Sequence, residues 1–383
     1  MFQPANVHEV TLTLVPGLGP KLIRQLLSYF GSAENVFAQP AARLLKVPGV
    51  GKQTAESILK NADHKNALDI ISRAERSATR LLPFTSTTYP KLLRQIPDLP
   101  PILYCRGSGP LDFSRSIAIV GTRHATAYGK SVVEELIEAL VPYKPVIVSG
   151  LAYGIDIAAH KAALKHGLTT YGVLASGTDI IYPAVHKQVA REMLDQGGLI
   201  SENPPGTKPD AHRFPARNRI IAGRAQAVII VEAANKGGAL ITAKLAQDYN
   251  REVLAVPGNI GQAYSEGCHD LIREHVAGIC TSASDIVYQL GWDLAGNQSV
   301  AKALPDLDSF GPEEQKIITL LSENNFEMAL DDLCIVAGMR VGEIAPVLLG
   351  LELQGLVTPQ PGRRYRLKLA VAKGTGSQAT LFS

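Results

Sequence analysis

Cysteine is scarce in this chain. Its four residues, Cys105, Cys268, Cys280 and Cys334, stand far apart and form no CxxC pair. That excludes a zinc ribbon and a redox dithiol, and it suits a reducing compartment. Long apolar runs are missing as well. Nothing approaches the roughly 18 residues of a membrane span, and the N-terminus has no charged stretch followed by an apolar one, so a cytoplasmic protein is expected. A strong charge of one sign is lacking too: the formal balance is +3. This excludes a polycation while allowing local basic grooves. There is no G-x-G-x-x-G fingerprint, no Walker A loop, no Ser/His/Asp order and no paired-carboxylate motif. No cofactor or metal is expected.

Against these absences stand 383 residues, 46% hydrophobic and 19% charged. Such a chain is globular and long enough for two or three domains. Residues 1–75 read as helical and contain two similar turns, Val15-Pro16-Gly17-Leu18-Gly19-Pro20 and Val47-Pro48-Gly49-Val50-Gly51-Lys52. Each precedes an apolar-periodic helix, a duplication with a period of roughly thirty residues. The turns resemble helix-hairpin-helix motifs, whose glycines expose backbone N–H groups to DNA phosphates. Residues 76–114 carry several prolines and read as a connector packed on the core.

Residues 115–292 alternate strand and helix. The expected strands are Ser116–Gly121, Val146–Gly150, Thr170–Ala175, Gly198–Glu202, Ala227–Ala233, Glu252–Pro257 and Gly278–Thr281. Helical patterns such as Gly129–Leu140, Asp156–Lys165 and Ala239–Gln247 lie between most of them. Short, apolar, β-branched strands alternating with helices predict an α/β fold with a Rossmann-like, doubly wound parallel sheet. Residues 293–311 read as a linker. Residues 312–368 predict three helices and a hairpin, a winged-helix-like module, and residues 369–383 a mobile tail. The helix expected from Val341 is apolar and acidic, whereas Arg363, Arg364, Arg366 and Lys368 make the wing basic. Sequence-specific groove reading is therefore not expected of it.

The candidate chemistry collects at strand ends. Gly121-Thr122-Arg123 closes the first strand of the sheet domain, and Ser149-Gly150-Leu151-Ala152 the second. Glycines there let backbone N–H groups approach an anion, and Arg123 adds a planar fork of donors. Asp156 and His160 lie four apart on a helix and read as a local hydrogen bond rather than metal ligands. Asp179 reads as a cap, and Glu202 as the partner of an arginine or a general base. The densest signal is Lys208, Arg213, Phe214, Arg217, Asn218 and Arg219. Cations interleaved with an aromatic suit single-stranded nucleic acid, with arginines on phosphates and the ring under a base. Gly237 and Gly238 open one more strand–helix junction beside them.

In their order and spacing, Ile119–Arg123, Ser149–Asp156 with His160, Phe214–Gly223, Val231–Ala233, Leu240–Ala243, Val256–Gly258 and Gly267–Ile272 together resemble the DNA-processing protein A family (DprA, also called Smf). The resemblance implies an extended Rossmann domain that binds single-stranded DNA in a basic pocket containing Arg123, Phe214, Arg217 and Asn218. It also implies a non-enzymatic homodimer that delivers DNA to a RecA-type recombinase in natural transformation, with single-strand-binding protein as a further partner. The alternative is a nucleotide hydrolase of the lysine-decarboxylase-like Rossmann group, with Glu232 beside Gly237-Gly238 as its glutamate. Its expected Pro-Gly-Gly-x-Gly-Thr string is missing.

Overall fold

Strands that are apolar on both faces need a layer on each, and the sheet of this protein has both. The computed structural model describes residues 6–62, 64–292, 307–323, 327–339, 341–360 and 363–367. The chain divides into two units, residues 1–292 and 293–383. The expected linker is described only from Leu307 onward, and the expected tail at 369–383 lies outside the described residues.

The first unit begins with six helices: α1 (Val7–Leu14), α2 (Pro20–Phe30), α3 (Ala33–Phe37), α4 (Ala41–Leu44), α5 (Lys52–Lys60) and α6 (Lys65–Arg76). The two similar turns adopt one geometry. Gly17 and Gly49 sit at φ +83° and +84°, a region L side chains resist. Gly19 and Gly51 then cap α2 and α5 with extended backbone. Leu26, Val36, Leu44 and Ile58 fill the core between these helices.

The segment read as a connector does more than connect. It holds β1 (Arg80–Pro83), α7 (Lys91–Arg94) and β2 (Ile102–Arg106). Both strands join the sheet antiparallel, β2 pairing with β6 (Gly198–Ser201). Proline-flanked strands of four and five residues leave too short an alternation to stand out in sequence.

The remaining strands follow βα alternation: β3 (Ser116–Gly121), α8 (Ala127–Leu140), β4 (Val146–Ser149), α9 (Ile155–Lys165), β5 (Thr170–Val173), α10 (Lys187–Gln196), β6, α11 (Arg213–Gly223), β7 (Ala227–Val231), α12 (Gly238–Asp248), β8 (Glu252–Ala255), α13 (Glu266–Arg273), β9 (Gly278–Ile279) and α14 (Ala283–Leu290). The sheet order is β1-β2-β6-β5-β4-β3-β7-β8-β9, parallel from β6 through β9. Side chains alternate between two cores. Ala118, Val120, Val148 and Ile230 face α11 and α12, while Ile117, Ile119, Ile147 and Ile229 face α8 and α9. This is the doubly wound sheet that the buried, β-branched strands predict.

The second unit holds α15 (Pro312–Glu323), β10 (Glu327–Ala329), α16 (Leu330–Ala337), α17 (Val341–Leu353), β11 (Val357–Gln360) and β12 (Arg364–Leu367). The expected hairpin gains a third strand, in the order β10-β12-β11, which completes a winged helix. Three residues are too few for strand periodicity to reveal β10. No helix among the described residues is long and apolar enough to cross a membrane.

Candidate nucleic-acid interface

The chain leaves β3, builds β4, β5 and β6 outward on one side, then returns to lay β7 on the other side of β3. The carboxyl ends of β3 and β7 are therefore the switch point of the sheet, where connections diverge and a crevice opens. A cavity of about 640 Å³ lies there. Gly121, Thr122 and Arg123 line it from the end of β3, and Ala152 and Asp156 from the loop and helix after β4. Phe214, Arg217 and Asn218 line it from α11, and Gly237 and Gly238 from the start of α12.

Arg123 is exposed. Its guanidinium lies 5.3 Å from the centre of the half-buried Phe214 ring, within cation–π reach. Tyr182, 50% exposed, tilts against the same ring at 5.9 Å. Gly154 holds this corner together: a Cβ there would strike the Thr122 carbonyl and the Arg123 backbone. Its φ of +79° starts α9, whose Ile155 N–H donates to the Thr122 carbonyl at 3.2 Å.

Arg217 lies deeper, only 4% exposed. Its Nη1 donates to the Gly150 carbonyl at 2.5 Å and also to the Val173 carbonyl, and its Nε donates to Asn218 Oδ1 at 3.2 Å. The side chain thus ties the exits of β4 and β5 to α11. Burial pulls its pKa down to about 10, against the pull of Asp156, so it stays charged at neutral pH. Burial raises the Asp156 carboxyl, opposed first by Arg217.

The strand-end glycines do not leave the openings that sequence suggests, because protein atoms fill most of them. A Cβ at Gly121 would strike the Val231 carbonyl and Ile155, and one at Gly150 the Arg217 guanidinium and Asp156. The Thr122 N–H is spent on the Glu232 carbonyl at 2.7 Å, and that of Gly237 on Ala234 at 2.8 Å. Gly238 differs: a Cβ there would meet nothing. It begins α12, whose N-terminus has no side-chain cap, so amide donors and the positive end of the helix dipole face the cavity.

Several expected residues lie elsewhere. The Ser149 hydroxyl donates to the Ile119 carbonyl at 2.6 Å inside the core. Leu151 is buried, and its carbonyl accepts from His186 Nδ1 at 2.8 Å. Arg219 pairs with Glu202 at 2.6 Å and Asp98 at 3.5 Å, on the opposite side of α11 from Arg217. Burial raises the Glu202 carboxyl, opposed first by Arg219. Arg213 is half-buried and donates to Asn203 Oδ1 at 3.4 Å. Lys208 is exposed beside the Pro209–Ala211 stretch that forms one wall.

Asp156 and His160 do not bond to each other. Asp156 Oδ2 accepts from the Ala152 N–H at 3.4 Å, and His160 Nδ1 meets Thr170 Oγ1 at 2.7 Å. Because that hydroxyl donates to the Ile147 carbonyl, the imidazole carries its proton on Nδ1. Asp179 caps no helix; it accepts from the Gly206 N–H at 2.9 and 3.0 Å. Among the described residues no cluster of His, Cys, Asp or Glu could hold a metal ion. Sequence reasoning missed Tyr182 as a wall residue. Its Tyr-Pro pair follows β5 at the same sheet edge, which is the signal that could have found it.

Three family models match this chain. The description DNA recombination-mediator protein A covers residues 80–291, a SAM-like helix-hairpin-helix tandem covers 9–63, and a DprA winged-helix domain covers 301–363. Protein Smf of Synechocystis is 33% identical across 96% of this chain and all of its own length. The DNA processing protein DprA of Bacillus subtilis is 42% identical over 58% of this chain and 74% of its own. The X-ray structure of DNA processing protein A from Streptococcus pneumoniae superposes with a TM-score of 0.64 at 32% identity, covering 75% of this chain and 98% of that one. With a doubly wound sheet flanked by these two modules, and relatives matched over most of its length, the chain belongs to the DNA recombination-mediator protein A (DprA/Smf) family.

Proposed function

We propose that the protein is a non-enzymatic mediator that seats single-stranded DNA in the cavity between β3 and β7. The observation that carries this reading is the exposed Arg123 guanidinium held 5.3 Å over the Phe214 ring, at the mouth of the switch-point cavity. A base stacked on Phe214 leaves its phosphate beside Arg123 and the open N-terminus of α12. Stacking and phosphate pairing together bind any base and select unpaired strands, whose faces are free. Arg217 and Gly150 support this surface from beneath, and Asn218, Gly237 and Lys208 border it.

In the cell this protein would protect incoming DNA and deliver it to a RecA-type recombinase in natural transformation and recombination. It would act in the cytoplasm as a homodimer, with single-strand-binding protein as a further partner. Family membership supports this wider role. The hydrolase reading loses its main residue, because the Glu232 carboxylate accepts from the Thr126 N–H at 2.9 Å and from the Thr126 hydroxyl. It serves the start of α8 instead of facing a substrate.

The test is fluorescence polarisation of a labelled single strand and the matching duplex, with wild type, Arg123→Ala and Phe214→Ala at two salt concentrations. Salt-sensitive binding that prefers the single strand and falls in both variants is expected. Equal affinity for duplex, or binding that both variants preserve, would refute the assignment.

A further inference from the structure

Arg123 belongs to two hollows. The second, of about 770 Å³, is lined also by His124, Lys130, Tyr153, Ile157 and Lys161. Helices α8 and α9 form its sides. No carboxylate lines it. Lys130 and Lys161 are exposed, and neither forms an ion pair among the described residues. One turn further along α9 the character changes: Lys165 is held by Glu134 at 2.6 Å, and Glu192 enters the lining of the next hollow. Tyr153 and Lys161 border both of these hollows, but only the one that shares Arg123 has no carboxylate in its lining.

An aromatic ring is present where a base would need one. Tyr153 is 50% exposed, although its ring is anchored edge-on against His186 at 5.1 Å. Phe214 lines the first hollow, Arg123 lines both, and Tyr153, Lys130 and Lys161 line the second. A strand leaving the Phe214 cavity past Arg123 meets a second stacking face and two further phosphate partners. Duplex DNA offers no free base face to Tyr153.

We propose that the hollow between α8 and α9 is a second subsite for single-stranded DNA, in which Tyr153 stacks a base and Lys130 and Lys161 neutralise the phosphates that follow. The proposal rests on the cavity reading above, since Arg123 is the hinge between the two hollows.

The experiment compares oligothymidylates of about 6 and about 20 nucleotides, lengths that bracket common single-strand site sizes. Wild type, Lys130→Ala/Lys161→Ala, Tyr153→Ala, Tyr153→Phe and Arg123→Ala are titrated over a salt series. Wild type should gain affinity with length. The double lysine variant should keep its affinity for the short oligonucleotide and lose most of that gain. On the long one its log–log salt slope should fall by about 1.4, from two lost phosphate contacts. Tyr153→Ala should lose part of the gain and Tyr153→Phe keep it. A gain and slope unchanged in the lysine variant would overturn the second subsite while leaving the cavity intact. Short-oligonucleotide binding that ignores Arg123→Ala would instead refute the cavity itself.

Discussion

Arg123 and Arg217 line one cavity, yet the structure gives them different work, and replacing each by alanine separates the two roles. Arg217→Ala removes two charge-assisted hydrogen bonds to carbonyls and strands those acceptors in the interior. Each such bond contributes about 1.5–3 kcal/mol, so a loss of about 3–6 kcal/mol is expected. In a unit of this size each kcal/mol moves Tm by about 2 °C, which gives a fall of roughly 6–12 °C. Arg123→Ala removes an exposed cation–π contact of about 0.5–1 kcal/mol and should lower Tm by no more than about 2 °C. Its effect belongs in binding, with a salt slope reduced by about 0.7. Arg217→Lys should recover little stability, because one ammonium cannot reproduce a guanidinium that bonds two carbonyls and Asn218 at once. Differential scanning fluorimetry and polarisation titrations on the same preparations read both quantities. If Arg217→Ala melts with wild type and loses the same slope as Arg123→Ala, Arg217 is a phosphate partner and the positioning role is refuted.

Gly154→Ala forces a side chain to φ +79° against the Thr122 carbonyl and the Arg123 backbone. It should displace Arg123 and weaken single-strand binding, at a stability cost of about 1–3 kcal/mol in thermal melts. Glu232→Gln keeps its volume but removes the charge serving the start of α8. A loss of about 1 kcal/mol is expected in denaturant unfolding, and incubation with nucleoside monophosphates should release no free base from wild type or variant. His160 is fully buried, its Nε2 has no partner, and burial depresses its pKa from 6.5 to about 3. The folded state therefore refuses a proton that the unfolded chain accepts. Stability should fall as pH drops below about 6.5, by up to about 1.4 kcal/mol per pH unit until about 3. The raised pKa of Asp156 acts with the opposite sign. Urea melts of wild type and His160→Gln across this range should show a shallower acid loss in the variant.

The central strands were legible because burial on both faces leaves few polar positions: Ala227–Val231, apolar throughout, reads as a strand in any register. The antiparallel strands β1 and β2 were not, since their prolines and short runs carry no period. At the site, residue types pointed to the right edge of the sheet, but direction was harder to read. Arg217 and Arg219 sit two positions apart on α11, about 200° around the helix, so they cannot face one ligand together. That much was available from spacing alone. What spacing could not give is which face turns toward the cavity. That is decided by the Gly150 and Val173 carbonyls on one side and by Glu202 and Asp98 on the other. The glycines misled for a related reason. A missing side chain marks a close approach without saying what approaches, and at Gly121 and Gly150 the neighbour is the protein itself.

This reassignment makes the topology, more than the glycines, the source of the cavity. Helix α8 follows β3 onto one face of the sheet, and α12 follows β7 onto the other. The two loops part at adjacent strand ends, one carrying Arg123 and the other Gly238, while α11 brings Phe214 into the same cavity. The cation, the helix N-terminus and the ring then line the lips of one cavity, an arrangement that loops on a single face could not supply. Close packing of the strand ends fixes the distance between those lips. A methyl group at Gly121 would meet the Val231 carbonyl on the neighbouring strand, so widening the crevice there means unpairing β3 from β7. Fold stability and site geometry are thus one constraint at this edge, so on the proposed reading variation in DNA affinity has to come from side chains on the lips.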